Sequence, residues 1–185
     1  MLADLACVDR RRVDHLLTAL TNALANALDV DATSAAAPLT VVGSGLGAQR
    51  IAAVLAEAGF SVTLSASGAR ASRAAPRPAA VVLVSAHVID PAEHQRWLRA
   101  DIAHVPVVFG EAGVRVGPFV DPGRSACLAC VEQQRTLDDA TWPAIAAQLW
   151  GTAAAAEASG LATEAAVEVL RLLRGRTVER SVRLP

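Results

Sequence analysis

The sequence predicts an α/β fold, a mainly parallel sheet flanked by helices, preceded by a short N-terminal helical segment. Three observations predict it. Short runs of Val, Leu and Ala alternate with stretches of helical period along residues 38–185. One run, Ala80–Ser85, is apolar without a break, as a strand covered on both faces must be. A glycine-rich turn, Val41-Val-Gly-Ser-Gly-Leu-Gly-Ala48, joins the first strand to the first helix.

The elements follow in order. Residues 2–28 read as helical in two pieces, with Asp9 as an N-cap and Val13, Leu16, Leu17, Leu20, Leu24 and Leu28 on one apolar face. The run Arg10-Arg11-Arg12 reads as a solvated first turn, and 29–37 as a small-residue linker, so residues 1–37 stand apart from a domain over 38–185. A strand over 39–43, a helix over 47–58 capped by Gly59 and a strand over 61–65 form the first parallel unit. Residues 66–79, rich in Gly, Ser, Arg and Pro, read as an exposed loop. After the strand Ala80–Ser85 come a helix over Pro91–Ala100, capped by Asp90, and a strand over Val105–Phe109. Residues 114–120 are strand-like up to the break at Gly117-Pro118. Helices near 127–136, 142–158 and 163–174 follow, the last stopped by Gly175, and Thr177–Leu184 alternates as an edge strand.

Composition excludes several functions. All 17 basic residues are arginine, so neither a P-loop lysine nor a Schiff-base lysine is available in the 185 residues. A net charge of -1 without a basic run argues against nucleic-acid binding. The sequence has neither a signal-peptide pattern nor an apolar run of the ~20 residues that a membrane span needs. Three cysteines make no disulfide framework. A soluble cytoplasmic protein, free of membrane and nucleic acid, is expected.

Two motifs carry chemistry. Gly43, Gly45 and Ala48 match G-x-G-x-x-G/A after a strand and at the mouth of a helix, the context of a Rossmann-like nucleotide site. The alternative is that the turn serves only to pack strand on helix. The second strand ends at Ser65, where an acidic residue should hold the ribose hydroxyls. Ser65, Ser67 and Arg70 could instead receive a 2′-phosphate. Cys127-Leu-Ala-Cys130 has the spacing of half a structural zinc site, which needs four ligands. A redox role for the pair lacks the aromatic and proline neighbours of a thioredoxin-type motif. His94 beside Glu93 reads as a solvated imidazole in preference to a general base. Trp97, Trp142 and Trp150 read as packing anchors. Ser44 lies in the turn without a nucleophile elbow.

The order of glycine turn, short strand ending in Gly117-Pro118, Pro122-Gly123 and Cys127-x-x-Cys130 resembles the ThiF/MoeB superfamily of ubiquitin-activating-like proteins. It is most similar to the branch paired with YcaO-type ATPases in making azole-modified peptides, the cyclodehydratase component that binds the leader peptide. The pattern Leu5-Ala-Cys-Val-Asp9 with Val13, Leu16, Leu17 and Leu20 resembles the helical half of a small winged-helix domain, which in that family binds the leader. The resemblance reads the chain as a member shortened at both flanks. It implies partners (a YcaO-type ATPase and a precursor peptide, with self-association), ATP or another nucleotide as cofactor, and zinc only if another chain completes the ligands of Cys127 and Cys130. Adenylating relatives carry an Asp after the third strand, where Val84–Asp90 offers none at the matching place. An accessory scaffold role is therefore expected. The alternatives are an adenylyltransferase acting on a carrier-protein or peptide C-terminus, and an NADP-binding reductase.

Overall fold

The computed structural model describes residues 37–69, 76–111, 113–154, 160–175 and 182–184. The helical segment expected over 2–28, its linker up to residue 36, Arg70 and residues 177–181 lie outside the described residues.

Alternation along the strands builds two cores. Leu39 and Val41 of β1 (Pro38–Val42) pack on one side of the sheet and Val42 on the other. In β3 (Ala80–Ala86) the same split sends Val82 and Val84 one way and Val81 and Leu83 the other. The first core is closed by α1 (Leu46–Glu57), through Ile51, Val54 and Leu55, and by α5 (Leu161–Gly175), through Ala165, Val169, Leu170 and Leu172. The second is closed by Trp97 of α2 (Pro91–Arg99) and Leu128 of α3 (Leu128–Asp138). A sheet covered on both faces explains why β3 carries no polar residue before Ser85.

Among the described residues one sheet runs in the order β2-β1-β3-β4-β5-β6. β2 (Ser61–Ser65), β1, β3 and β4 (Ala103–Phe109) are parallel. β5 (Val114–Val116) returns antiparallel to β4, and β6 (Val182–Leu184) antiparallel to β5. The chain winds from β1 outward to β2, then crosses to β3 on the other side. The carboxyl ends of β1 and β3 therefore form the topological switch point, where a Rossmann-like α/β sheet opens its crevice.

The start of α2 shows how locally the sequence sets an element. Asp90 accepts a hydrogen bond from the Ala92 N–H (2.8 Å), Pro91 opens the first turn with Glu93 beside it, and Arg96 and Arg99 fill the last turn. Three expectations need correction. β4 begins at Ala103, two residues before the predicted strand, because His104 is fully buried and hydrogen-bonded. The helix predicted over 142–158 is interrupted after α4 (Trp142–Leu149), where Trp150 is extended and Gly151 takes a φ of 75°, a left-handed stop that suits glycine; its residues 155–158 lie outside the described residues. The strand predicted over 114–120 ends at Val116, and Val120 then makes an isolated bridge with His104. β6 does lie at the sheet edge, but Leu170 beside it is buried in the core and offers no free surface.

Candidate functional site

Gly43 ends β1 and donates its N–H to the Ser65 carbonyl at 2.9 Å. A Cβ at Gly43 would meet the Val84 carbonyl oxygen at 2.9 Å and the Ala48 Cβ at 3.1 Å. Gly43 and Ala48 thus let β1, β3 and α1 approach closely, as the motif requires. Gly45, at φ 147°, is the N-cap of α1 and brings no side chain to the helix mouth. Its partial positive charge is then available to an anion.

At this switch point a cleft of about 350 Å³ is lined by Gly43, Ser44, Ser67, Ser85, Asp90 and Trp150, among others. Of the predicted cofactor residues, Gly43 lines it, Gly45 and Ala48 shape it, and Arg70 lies outside the described residues. Ser65 stays off the wall, its carbonyl taken by Gly43, and Ser67 occupies the wall in its place. Among the described residues Asp90 is the one carboxylate in the lining, and it already caps α2.

The Ser67 wall is fixed from α2. Glu93 is buried and accepts from the Gly68 N–H at 2.7 Å and the Trp97 indole N–H at 3.2 Å. Arg96 donates to the Ala69 carbonyl at 2.6 Å and lies 4.5 Å above the Trp97 ring. The opposite wall is residues 150–154. His87, held at φ 58°, donates from Nε2 to the Ala153 carbonyl (3.2 Å), with Glu111 Oε1 at 3.3 Å. Trp150 is 53% exposed and stands as a cleft wall, which corrects its reading as a packing anchor. Nothing in the local pattern of 150–154 announces that this segment crosses the cleft.

His94 corrects a second expectation. It is 3% exposed, and His104 is 0% exposed. The His104 Nδ1 lies 2.9 Å from the Ile102 carbonyl, which can only accept, so that nitrogen carries the hydrogen. His104 Nε2 then accepts from His94 Nδ1 at 2.9 Å, which leaves His94 Nε2 as an unprotonated acceptor without a partner among the described residues. Burial, and then the neighbouring His104, lower the His94 pKa from 6.5 to about 4. A solvated imidazole would show neither feature.

The cysteine pair lies at the start of α3, apart from the cleft. The loop leading to it borders, through Asp121 and Pro122, a cavity of about 480 Å³ at the amino-terminal ends of the strands. Cys127 and Cys130 have their Sγ atoms 3.6 Å apart. Two thiolates on one tetrahedral zinc, each at roughly 2.3 Å, would be separated by about 3.8 Å, so the pair fits half a zinc site. Burial pushes the Cys127 thiol up, but the Cys130 and Ala129 N–H groups and the Cys130 thiol outweigh it, and its pKa falls below the ordinary value. Among the described residues no group of three metal-ligating side chains forms. The isolated protein is therefore expected to retain well under one zinc per chain after dialysis against a mild chelator, measured by elemental analysis. Stoichiometric zinc that is lost in Cys127→Ser would reveal further ligands.

No protein family and no curated protein matches the chain. Solved structures do. A heterocyclase in complex with substrate and cofactor is similar with a TM-score of 0.56 at 16% identity, over 78% of this chain and 20% of that one. The heterocyclase TruD gives 0.55 at 22% identity, over 78% and 22%. MccB of E. coli, solved with ATP, gives 0.51 at 12% identity, over 76% and 57%. At these identities the likeness is one of fold, and the chain spans about a fifth of the heterocyclase chains. None of the described helices is long and apolar enough to cross a membrane.

Proposed function

We propose that this chain is an accessory, non-catalytic component of peptide modification: a scaffold that presents a precursor peptide to a YcaO-type ATPase for azoline formation. The observation that carries this reading is the switch-point cleft. It keeps the glycine turn and helix mouth, while the one carboxylate in its lining among the described residues is committed to capping α2. A site for adenylyl transfer needs free carboxylates for ribose and metal. The fold shared with two heterocyclases and with MccB supports the same setting.

The runner-up is an adenylyltransferase acting on a peptide or carrier-protein C-terminus, favoured by the similarity to an MccB structure that holds ATP. A pyrophosphate-exchange assay separates the two. With ATP and candidate precursor peptides the isolated protein is expected to give no exchange above background, and robust peptide-dependent exchange would move the assignment to adenylyl transfer. Residues Gly43, Gly45 and Ala48 remain the proposed nucleotide contacts under either reading, and zinc at Cys127 and Cys130 is proposed only with ligands from another chain.

A scaffold works by association. Among the described residues β6 lies at the sheet edge, where its outer backbone groups can take a further strand. We expect light scattering to report a homodimer or a complex with the YcaO-type partner. A single 19.1 kDa species, unchanged on adding that partner, would remove the scaffold role.

A further inference from the structure

Positive charge concentrates where the sheet meets its β5–β6 edge. Val114 and Val116 of β5 are buried in the core shared with α5, so Arg115 between them points to the opposite face, toward α3. Leu184 of β6 packs against that same core, which sends Arg183 to the α3 side as well. The antiparallel register sets Arg115 directly across from Arg183. Like charges in that position weaken strand pairing, so the arrangement is a cost that the fold alone does not explain.

Arg135 of α3 adds a third cation. Burial, and then the charge of Arg183, hold its guanidinium below the ordinary pKa. Among the described residues the carboxylate bonded to Arg135 is Glu132, which accepts from it at 2.8 Å and from the Trp142 indole N–H at 2.6 Å. Neither Arg115 nor Arg183 has an ion-pair partner among the described residues.

Arg115 also lines a small cavity of about 60 Å³ whose walls are mostly apolar, including Ile89, Val108, Leu128 and Val131, and Glu132 lines it too, its charge offset by Arg135 and its second oxygen taken by the Trp142 indole. His94 forms part of the same wall; its Nε2, closed to solvent in the resting structure, is an acceptor without a partner among the described residues, so a ligand donor reaches it only as the wall yields. The volume suits a carboxyl group or a few waters. No residue of this lining is shared with the switch-point cleft.

We propose that this pocket binds a small carboxylate that also offers a hydrogen-bond donor, with the carboxylate on Arg115, flanked by Arg183 and Arg135, and the donor toward His94. Arginine presents a fork of N–H donors that matches a carboxylate. The apolar walls accept a short carbon stem, and a bare phosphate has none to offer them. A free 2-hydroxy acid and the C-terminal residue of a peptide share this chemistry. The site is independent of whether the cleft holds a nucleotide.

The test follows the imidazole nitrogens of the intact protein by NMR while lactate, N-acetyl-alanine, propionate, N-acetyl-alanine amide and inorganic phosphate are titrated in. Lactate or N-acetyl-alanine should shift the His94 Nε2 signal saturably at millimolar concentration, with propionate weaker and the amide silent. Stronger lactate binding points to a free hydroxy acid, and stronger N-acetyl-alanine binding to a peptide end. Arg115→Gln should weaken binding by roughly tenfold or more, the scale of one charge-assisted contact. Arg183→Gln should weaken it less, and it supplies the answer if Arg115→Gln fails to fold. Arg171→Gln removes an equal charge from α5, on the other face, and should change nothing. The proposal is overturned if neither probe binds at tens of millimolar, if phosphate binds as well, or if Arg183→Gln and Arg115→Gln both bind like the parent.

Discussion

Gly43→Val is expected to destabilise the protein by roughly 2–5 kcal/mol, combining overpacking with a backbone angle that branched residues resist. The new Cβ would lie 2.9 Å from the Val84 carbonyl oxygen and 3.0 Å from the Val84 Cβ, at φ 157°. Both strands are central, and Val84 is held between β1 and β4, so the clash cannot be relieved by swinging a flexible side chain aside. Urea unfolding measures the loss, and a thermal scan should fall by about 2–4 °C for each kcal/mol. Gly68→Ala is the comparison. Gly68 has a φ of 75° but nothing within 4 Å of a built Cβ, so only backbone strain of about 1–2 kcal/mol remains. Equal losses at the two positions would show that close approach of β1 to β3 is not what Gly43 supplies.

That contrast marks what the sequence could convey. The first parallel unit was legible to within one residue at its boundaries, because the glycine turn, Gly59 and the apolar alternation are local signals. The Asp90 cap was legible for the same reason. β4 was read short because His104 looks like a polar interruption, and only its hydrogen bonds to Ile102 and His94 explain how a strand buries it. The helix over 142–158 runs past its stop although Gly151 is in plain view, since Thr152, Ala153 and Ala154 carry no local signal against helix. The cleft was half legible. Its glycine side follows from the motif, while the wall at 150–154 depends on His87 reaching Ala153, 66 residues away. Spacing carries no record of such a contact. Glu93 gave no sign that it would hold Gly68, and the exposed loop it fixes looked featureless.

Acid is the second large perturbation. Stability is expected to fall by about 3 kcal/mol as pH drops from about 6.5 to about 4, from the His94 interval alone. His94 is lowered by burial and then by His104, and His104 is itself lowered by burial, against the opposing pull of the Ile102 carbonyl. In the unfolded chain both imidazoles titrate near their ordinary value, so within this window the unfolded state binds more protons. Stability is therefore fully present above about 6.5 and lost as pH falls toward the folded value. The hydrogen bonds say why. Three of the four ring nitrogens are committed, and a proton can enter only at His94 Nε2, which would create a buried charged donor without a partner among the described residues. Asp139, lowered by Thr141, contributes in the other region, below its ordinary 3.8, and does not imitate the effect. Urea unfolding at intervals between pH 7 and pH 4.5 gives the slope. His94→Leu should lower stability at pH 7, because His104 Nε2 loses its donor, yet flatten the dependence on pH. Imidazole nitrogen NMR at pH 5.5 should still find the His94 ring neutral with hydrogen on Nδ1. A parent slope unchanged in His94→Leu, or a protonated His94 at that pH, would assign the acid sensitivity elsewhere.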